Sequence, residues 1–124
     1  MMRLSMPKSK VTFDTAREIA ASWPGVEVST AYGAPALKVR GKLMAAVPTH
    51  RSSEPDSLGV RVDFERRAEL LEAAPEIYYA PPHYANYPIV LVRLSRIDRD
   101  ALEGLLRMGW KFVTAKKPRA PRRR

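Results

Sequence analysis

The run Ile89-Val90-Leu91-Val92-Arg93-Leu94 constrains the fold more than any other part of the sequence. Five apolar side chains in six positions suit a central strand covered on both faces, so a sheet must be built around it. The alternation of Leu58, Val60, Val62 and Phe64 against Gly59, Arg61 and Asp63 predicts a second, half-buried strand. A hairpin precedes it: residues 36–40 alternate, Gly41-Lys42 turns, and residues 43–47 return. Residues 77–79 form a short additional strand.

Helices are expected at three places. Thr12 is an N-cap, and Phe13, Ala16, Ile19, Ala20 and Trp23 follow at helical spacing until Pro24-Gly25 ends the run, giving a helix over 13–22. Glu65 opens a second helix with Ala68 and Leu71 on one face, closed at Ala74 because the residue before Pro75 avoids the helical region. Asp98 or Asp100 starts a third, with Leu102, Leu105, Leu106 and Trp110 as its apolar stripe. Residues 27–35, rich in Ser, Thr, Gly and Pro, read as a loop containing a tight turn at Tyr32-Gly33. Residues 48–56 and 80–88 read as loops too. The order is α-βββ-α-(β)-β-α. The fold class is α+β: a single domain with an antiparallel sheet and helices packed mainly on one face.

At 124 residues, with 45% hydrophobic residues, the chain can bury a core without disulfides or a structural metal. It has no cysteine, which excludes a disulfide framework, a cysteine zinc site and a cysteine nucleophile. Neither a membrane-spanning run nor a signal peptide is apparent, so a cytoplasmic protein without membrane association is expected. The net charge of +9 is localised. Of 22 basic residues, three fall in residues 1–10 and six in 116–124, neither stretch holding an acid; residues 11–115 balance 13 bases against 13 acids. The organisation is therefore a basic arm (1–10), a neutral domain (11–115) and a disordered basic tail (116–124). Basic arms on a neutral body attract polyanions by counterion release, without a shaped site.

Strand alternation extends this basic character to the sheet. If each strand turns its apolar side to the helices, Lys38, Arg40, Arg61 and Arg93 share the opposite face, with Lys42 in the adjoining turn. Leu43 opposite Arg40 would make that face mixed. Phosphate-binding glycine motifs and the zinc pattern H-E-x-x-H are absent, and His50 and His83 lie in separate loops. No catalytic constellation, metal or cofactor is expected. The Tyr- and Pro-rich segment 78–88 offers His83, Tyr84 and Tyr87, which can stack on a flat ligand or simply pin the loop.

The segments Val11-Thr12-Phe13-Asp14, Pro24-Gly25-Val26-Glu27, Ser29 through Lys42, Val60-Arg61-Val62-Asp63 and Pro82-His83-Tyr84 with Tyr87-Pro88 resemble, in order and spacing, the MmcQ/YjbR family of small bacterial proteins. The resemblance runs from about Val11 to Lys116. It implies a compact α+β domain related to the frataxin-like architecture, a "double wing" arrangement and DNA binding, and it assigns no catalytic residues. Close relatives carry a glycine before the Tyr-Pro pair and a tryptophan after it; here Asn86 and Ile89 stand there.

The resulting expectation is a non-enzymatic nucleic-acid-binding protein of weak sequence preference, with DNA the expected polyanion and a monomer or weak dimer the expected state. Its contacts would be Lys38, Arg40, Lys42, Arg61 and Arg93 on the sheet, and Lys116, Lys117, Arg119, Arg122, Arg123 and Arg124 in the tail. The alternative is a small-ligand or protein-binding domain with a pocket between the Tyr32 loop and the His83, Tyr84 and Tyr87 loop. A third reading, an enzyme using His83, lacks a neighbouring nucleophile or orienting acid.

Overall fold

The computed structural model describes residues 10–115. The tail residues 116–124 and all of the N-terminal arm but Lys10 lie outside the described residues. Ten elements follow in order: α1 (Phe13–Ala20), β1 (Val26–Ala31), β2 (Ala34–Val39), β3 (Lys42–Ala46), β4 (Ser57–Arg61), α2 (Phe64–Ala73), β5 (Tyr78–Tyr79), a 3-10 turn (Pro82–Tyr84), β6 (Ile89–Arg93) and α3 (Arg99–Thr114). The strands form one antiparallel sheet in the order β1-β2-β3-β4-β6-β5. The apolar run is interior as expected, with β6 between β4 and β5.

The helices begin where side chains supply the missing acceptors. Thr12 caps α1 in a reciprocal arrangement with Thr15, Asp63 accepts the Arg66 N–H at the start of α2, and Asp98 accepts the Ala101 N–H at the start of α3. Leu58, Val60, Val62, Val90 and Val92 meet Leu102, Leu105 and Leu106 of α3 in the core, and all eight are essentially inaccessible to solvent.

Three expectations need correction. Residues 27–35 are not a loop: β1 pairs with β2 in unbroken register from Val26↔Val39 to Ala31↔Ala34, around a two-residue Tyr32-Gly33 turn with φ of 53° and 78°. Positive φ at both turn positions matches the twist of the flanking strands. The second hairpin turns at Arg40-Gly41, not Gly41-Lys42, again with positive φ at both (49° and 85°), so Arg40 leaves the strand and Lys42 pairs with Val39. Leu43 therefore stands opposite Lys38, and Met44 is the extra residue of a β-bulge that restores Leu37↔Ala45. Finally, β4 ends at Arg61; Asp63 caps α2 and Phe64 begins it.

Candidate functional site

The expected basic face divides into separate sites. Arg61 pairs with Ile89 and Arg93 with Ser57, so the two arginines sit at opposite ends of the β4–β6 ladder, roughly 13 Å apart at strand rise. Between them Leu91 is fully buried, so this face is not open. Arg93 is engaged: it grips the Glu54 carboxylate with two contacts of 2.8 Å, donates to the Pro75 carbonyl at 3.0 Å and lies over the Tyr79 ring. That bond is the main cause holding the Glu54 carboxyl below the usual glutamate range and Arg93 above its own. Arg93 thus fastens residues 47–56 to the sheet, helped by the Tyr79 hydroxyl, which accepts the Glu54 N–H and bonds Ser57. Arg40 lies against Gly25, and Lys38 is half-buried.

The second set of expected residues also separates. Tyr32, 92% exposed, is at the β1–β2 turn near one edge of the sheet, while His83, Tyr84 and Tyr87 lie between β5 and β6 at the other. Tyr32 is thus too exposed to form a wall with them, and no aromatic contact joins it to them among the described residues. The real neighbour of His83 is His50, with stacked rings whose centroids are 3.6 Å apart and Tyr84 edge-on to both. His50 Nδ1 lies 3.0 Å from the Ser52 backbone N–H, which can only donate, so the ring is the neutral Nε2–H tautomer. Burial, then the charges of His83 and Arg51, lower its pKa. Because the folded value lies below the unfolded one, the stabilisation from the neutral ring is complete above about pH 6.5 and is lost as pH falls through the folded value. A proton NMR titration should therefore give His50 a midpoint below that of an unfolded-chain histidine, with accompanying loosening of residues 47–56 and 80–88.

Residues 80–88 have an anchor with no counterpart in the sequence reading. The Arg67 guanidinium, from α2, donates to the carbonyls of Tyr84 (3.0 Å), Tyr87 (2.9 Å), Ile89 (3.2 Å) and Ala85 (2.9 Å). It adds a charged donor to carbonyls around the end of the 3-10 turn, of which those of Tyr84 and Tyr87 also accept the Tyr87 and Ile89 N–H groups.

Cations do gather elsewhere. An open groove of about 1160 Å³ runs along α3, past the start of α2 and the strand ends at Lys42 and Arg61. Its lining includes Lys42, Arg61, Arg66, Arg107 and Lys111 against a single carboxylate, Asp63, which is occupied in capping α2. Leu43, Val62, Met108 and Phe112 give it apolar walls. Arg61 lies over the Phe112 ring at 5.2 Å and donates to the Pro88 carbonyl; burial lowers its pKa, though an arginine remains charged at neutral pH. Arg66 pairs with Glu69 at 3.4 Å and Arg107 with Glu103 at 2.9 Å, all four about half exposed. Exposed pairs of this kind contribute roughly 0–1 kcal/mol, so they exchange readily for a phosphate. Lys42 and Lys111 make no ion pair or side-chain hydrogen bond among the described residues. A second concavity, about 430 Å³ near Thr12 and Ser57, sets Lys10 against Glu54 and Asp56 and so offers no excess of positive charge.

Two of the expected contacts, Lys42 and Arg61, thus meet in one groove, joined by three residues the sequence reading did not select. Arg107 and Lys111 sit four apart on α3, a spacing visible in the sequence. Arg66 is not legible in the sequence, since only the tertiary fold brings the start of α2 to the groove along α3. No group of three or more His, Cys, Asp or Glu suited to a metal occurs among the described residues, and no described helix is long and apolar enough to cross a membrane.

Uncharacterised proteins of Mycobacterium tuberculosis and Mycobacterium bovis are 41% identical to the chain over 66 residues, covering 50% of it and 51% of each relative. The chain's match thus spans about half the length of these curated relatives. A crystal structure of a Deinococcus radiodurans protein with a DUF419 domain superposes with a TM-score of 0.68 at 26% identity, covering 89% of this chain and 84% of that one. The family model YjbR matches residues 21–112, which takes in every strand and most of α3. With that span matched and the fold shared, the chain belongs to the YjbR family.

Proposed function

We propose that this protein is a non-enzymatic nucleic-acid-binding module that seats a phosphate backbone in the groove lined by Lys42, Arg61, Arg66, Arg107 and Lys111. The observation that carries the reading is the concentration of five cations against one pre-engaged carboxylate, in a domain whose bases and acids balance as a whole. Ala115 also lines the groove, so the six basic residues of 116–124 follow directly from its rim. Sequence preference is weak in this reading, because phosphate contacts position a strand without reading bases and no Asn or Gln lines the groove. The apolar walls suit bases of a single strand better than the closed edges of a duplex.

A salt series tests it, with random-sequence duplex and single strand as probes. The chain ending at Ala115 should keep binding, with a slope of log K against log salt of −2 or steeper; full engagement of five cations gives about −4. The double variant Lys42→Glu/Lys111→Glu should lose at least about tenfold in affinity at low salt, by reversing two contacts. Binding by the full chain alone would assign the activity to the tail and sink the groove reading.

A further inference from the structure

Among the described residues the outer edge of β1 has no partner strand, and its geometry matches its own copy. Among the described residues β1 is the last strand on its side of the sheet, whereas the opposite edge is closed by the two-residue β5. Exposed edges are ordinarily protected by short length, lysine, proline or a bulge, because their free amides and carbonyls template pairing. Apart from the single charge of Glu27, β1 has none of these devices. It runs six residues, Val-Glu-Val-Ser-Thr-Ala, in unbroken register with β2.

The register fixes which groups point outward. The Arg40 N–H donates to the Gly25 carbonyl at 3.0 Å, so Gly25 and Arg40 form a hydrogen-bonded pair. Alternation then directs the backbone of Glu27, Ser29 and Ala31 toward β2 and that of Val26, Val28 and Thr30 outward. The Val26 N–H is already used by the Trp23 carbonyl at 3.1 Å.

We infer that β1 is a homodimerisation edge, pairing antiparallel with β1 of a second copy about a two-fold axis through Val28. Only a register with Val28 opposite itself, or displaced by an even step, puts like faces together and joins outward donors to outward acceptors. The Val28-centred register also satisfies the charges. Glu27, the single charged residue of β1, stands opposite Ser29 of the copy; shifting the axis to Glu27 would set two carboxylates face to face. Val28 contributes two reciprocal N–H to carbonyl bonds, and each Thr30 N–H meets the Val26 carbonyl of the other copy, giving four bonds. Val28, 53% exposed, is covered by its counterpart. An interface of one strand pair is small, so the dimer is weak and reversible.

Sedimentation velocity on the full chain without nucleic acid tests this, from roughly 10 μM to 1 mM. The mass should rise from 14.0 kDa toward twice that value with concentration. Val28→Pro removes the outward donor, which an edge strand tolerates, and should hold the chain monomeric with unchanged circular dichroism. Val28→Lys, which leaves the backbone intact, should do the same should the proline variant fail to fold. A monomer throughout the range overturns the inference, and so does a dimer that survives Val28→Lys. A monomer whose β1 amides are nonetheless protected from exchange would assign the edge to residues 1–9 or 116–124 of its own chain, which also overturns it.

Discussion

Arg67→Ala is expected to destabilise the protein by about 2–3 kcal/mol and to lower its melting temperature by roughly 10 °C. One guanidinium serves four carbonyls, those of Tyr84, Ala85, Tyr87 and Ile89. Hydrogen bonds from a charged donor are worth more than neutral ones, but these share one side chain that is partly exposed, so the four do not add. Arg67→Lys should recover less than half of the loss, because an ammonium is a point donor and cannot reach acceptors spread around a planar fork. The deficit should be local first. Hydrogen exchange at residues 84–89 should accelerate more than in β4 or α3, since the four carbonyls anchor that segment alone. Uniform exchange behaviour, or full rescue by lysine, would show that Arg67 acts only as a charge.

The second large effect concerns the contact between α3 and the sheet. Gly109→Ala is expected to destabilise by about 1–3 kcal/mol, although alanine is ordinarily the better helix former by about 1 kcal/mol. A Cβ at position 109 would sit 3.0 Å from Val60 Cγ1, 3.3 Å from Met44 Cγ and 3.2 Å from the Arg61 carbonyl oxygen. Side chains shift, but that oxygen belongs to an interior strand and cannot yield without moving α3. Gly104, on the same helix, has nothing within 4 Å of such a Cβ. Gly104→Ala should therefore stabilise by about 0.5–1 kcal/mol. Opposite signs for the same substitution, read by urea unfolding, isolate close approach from helix propensity. A stabilised Gly109→Ala would mean that α3 has room to lift from β3 and β4.

Much of this architecture was legible because local chemistry and tertiary position agree. Thr12 and Asp98 cap helices whose apolar spacing also faces the core, and the run at 89–94 is interior because five of its six side chains have no use for water. β1 is not legible: Ser29 and Thr30, followed by Gly33 and Pro35, give the segment a loop composition, and only pairing with β2 makes Val26–Ala31 a strand. Sequence alone places the hairpin turn one residue late and keeps Arg40 in the strand, because glycine can occupy either central turn position and the compensating bulge at Met44 has no sequence signature.

The site divides the same way. Arg61 could be found by strand alternation and Lys42 from the adjoining turn, whereas Arg66, Arg107 and Lys111 belong to the groove through the tertiary placement of α3 and the start of α2. Strand alternation alone leaves Arg93 available, whereas Glu54, 39 residues away, holds it. Arg67 was invisible because its acceptors are backbone carbonyls, which every residue carries.

The most direct measurement is a chemical-shift footprint: amide NMR spectra of the full chain titrated with a random-sequence single strand and, separately, with a duplex. If the groove seats the phosphate backbone, the largest shifts fall on residues 42–43, 61–66 and 104–115, diminish as salt is raised, and vanish in Lys42→Glu/Lys111→Glu. Shifts confined to residues 116–124, or centred on Tyr32 or His83 while the groove stays silent, would contradict it.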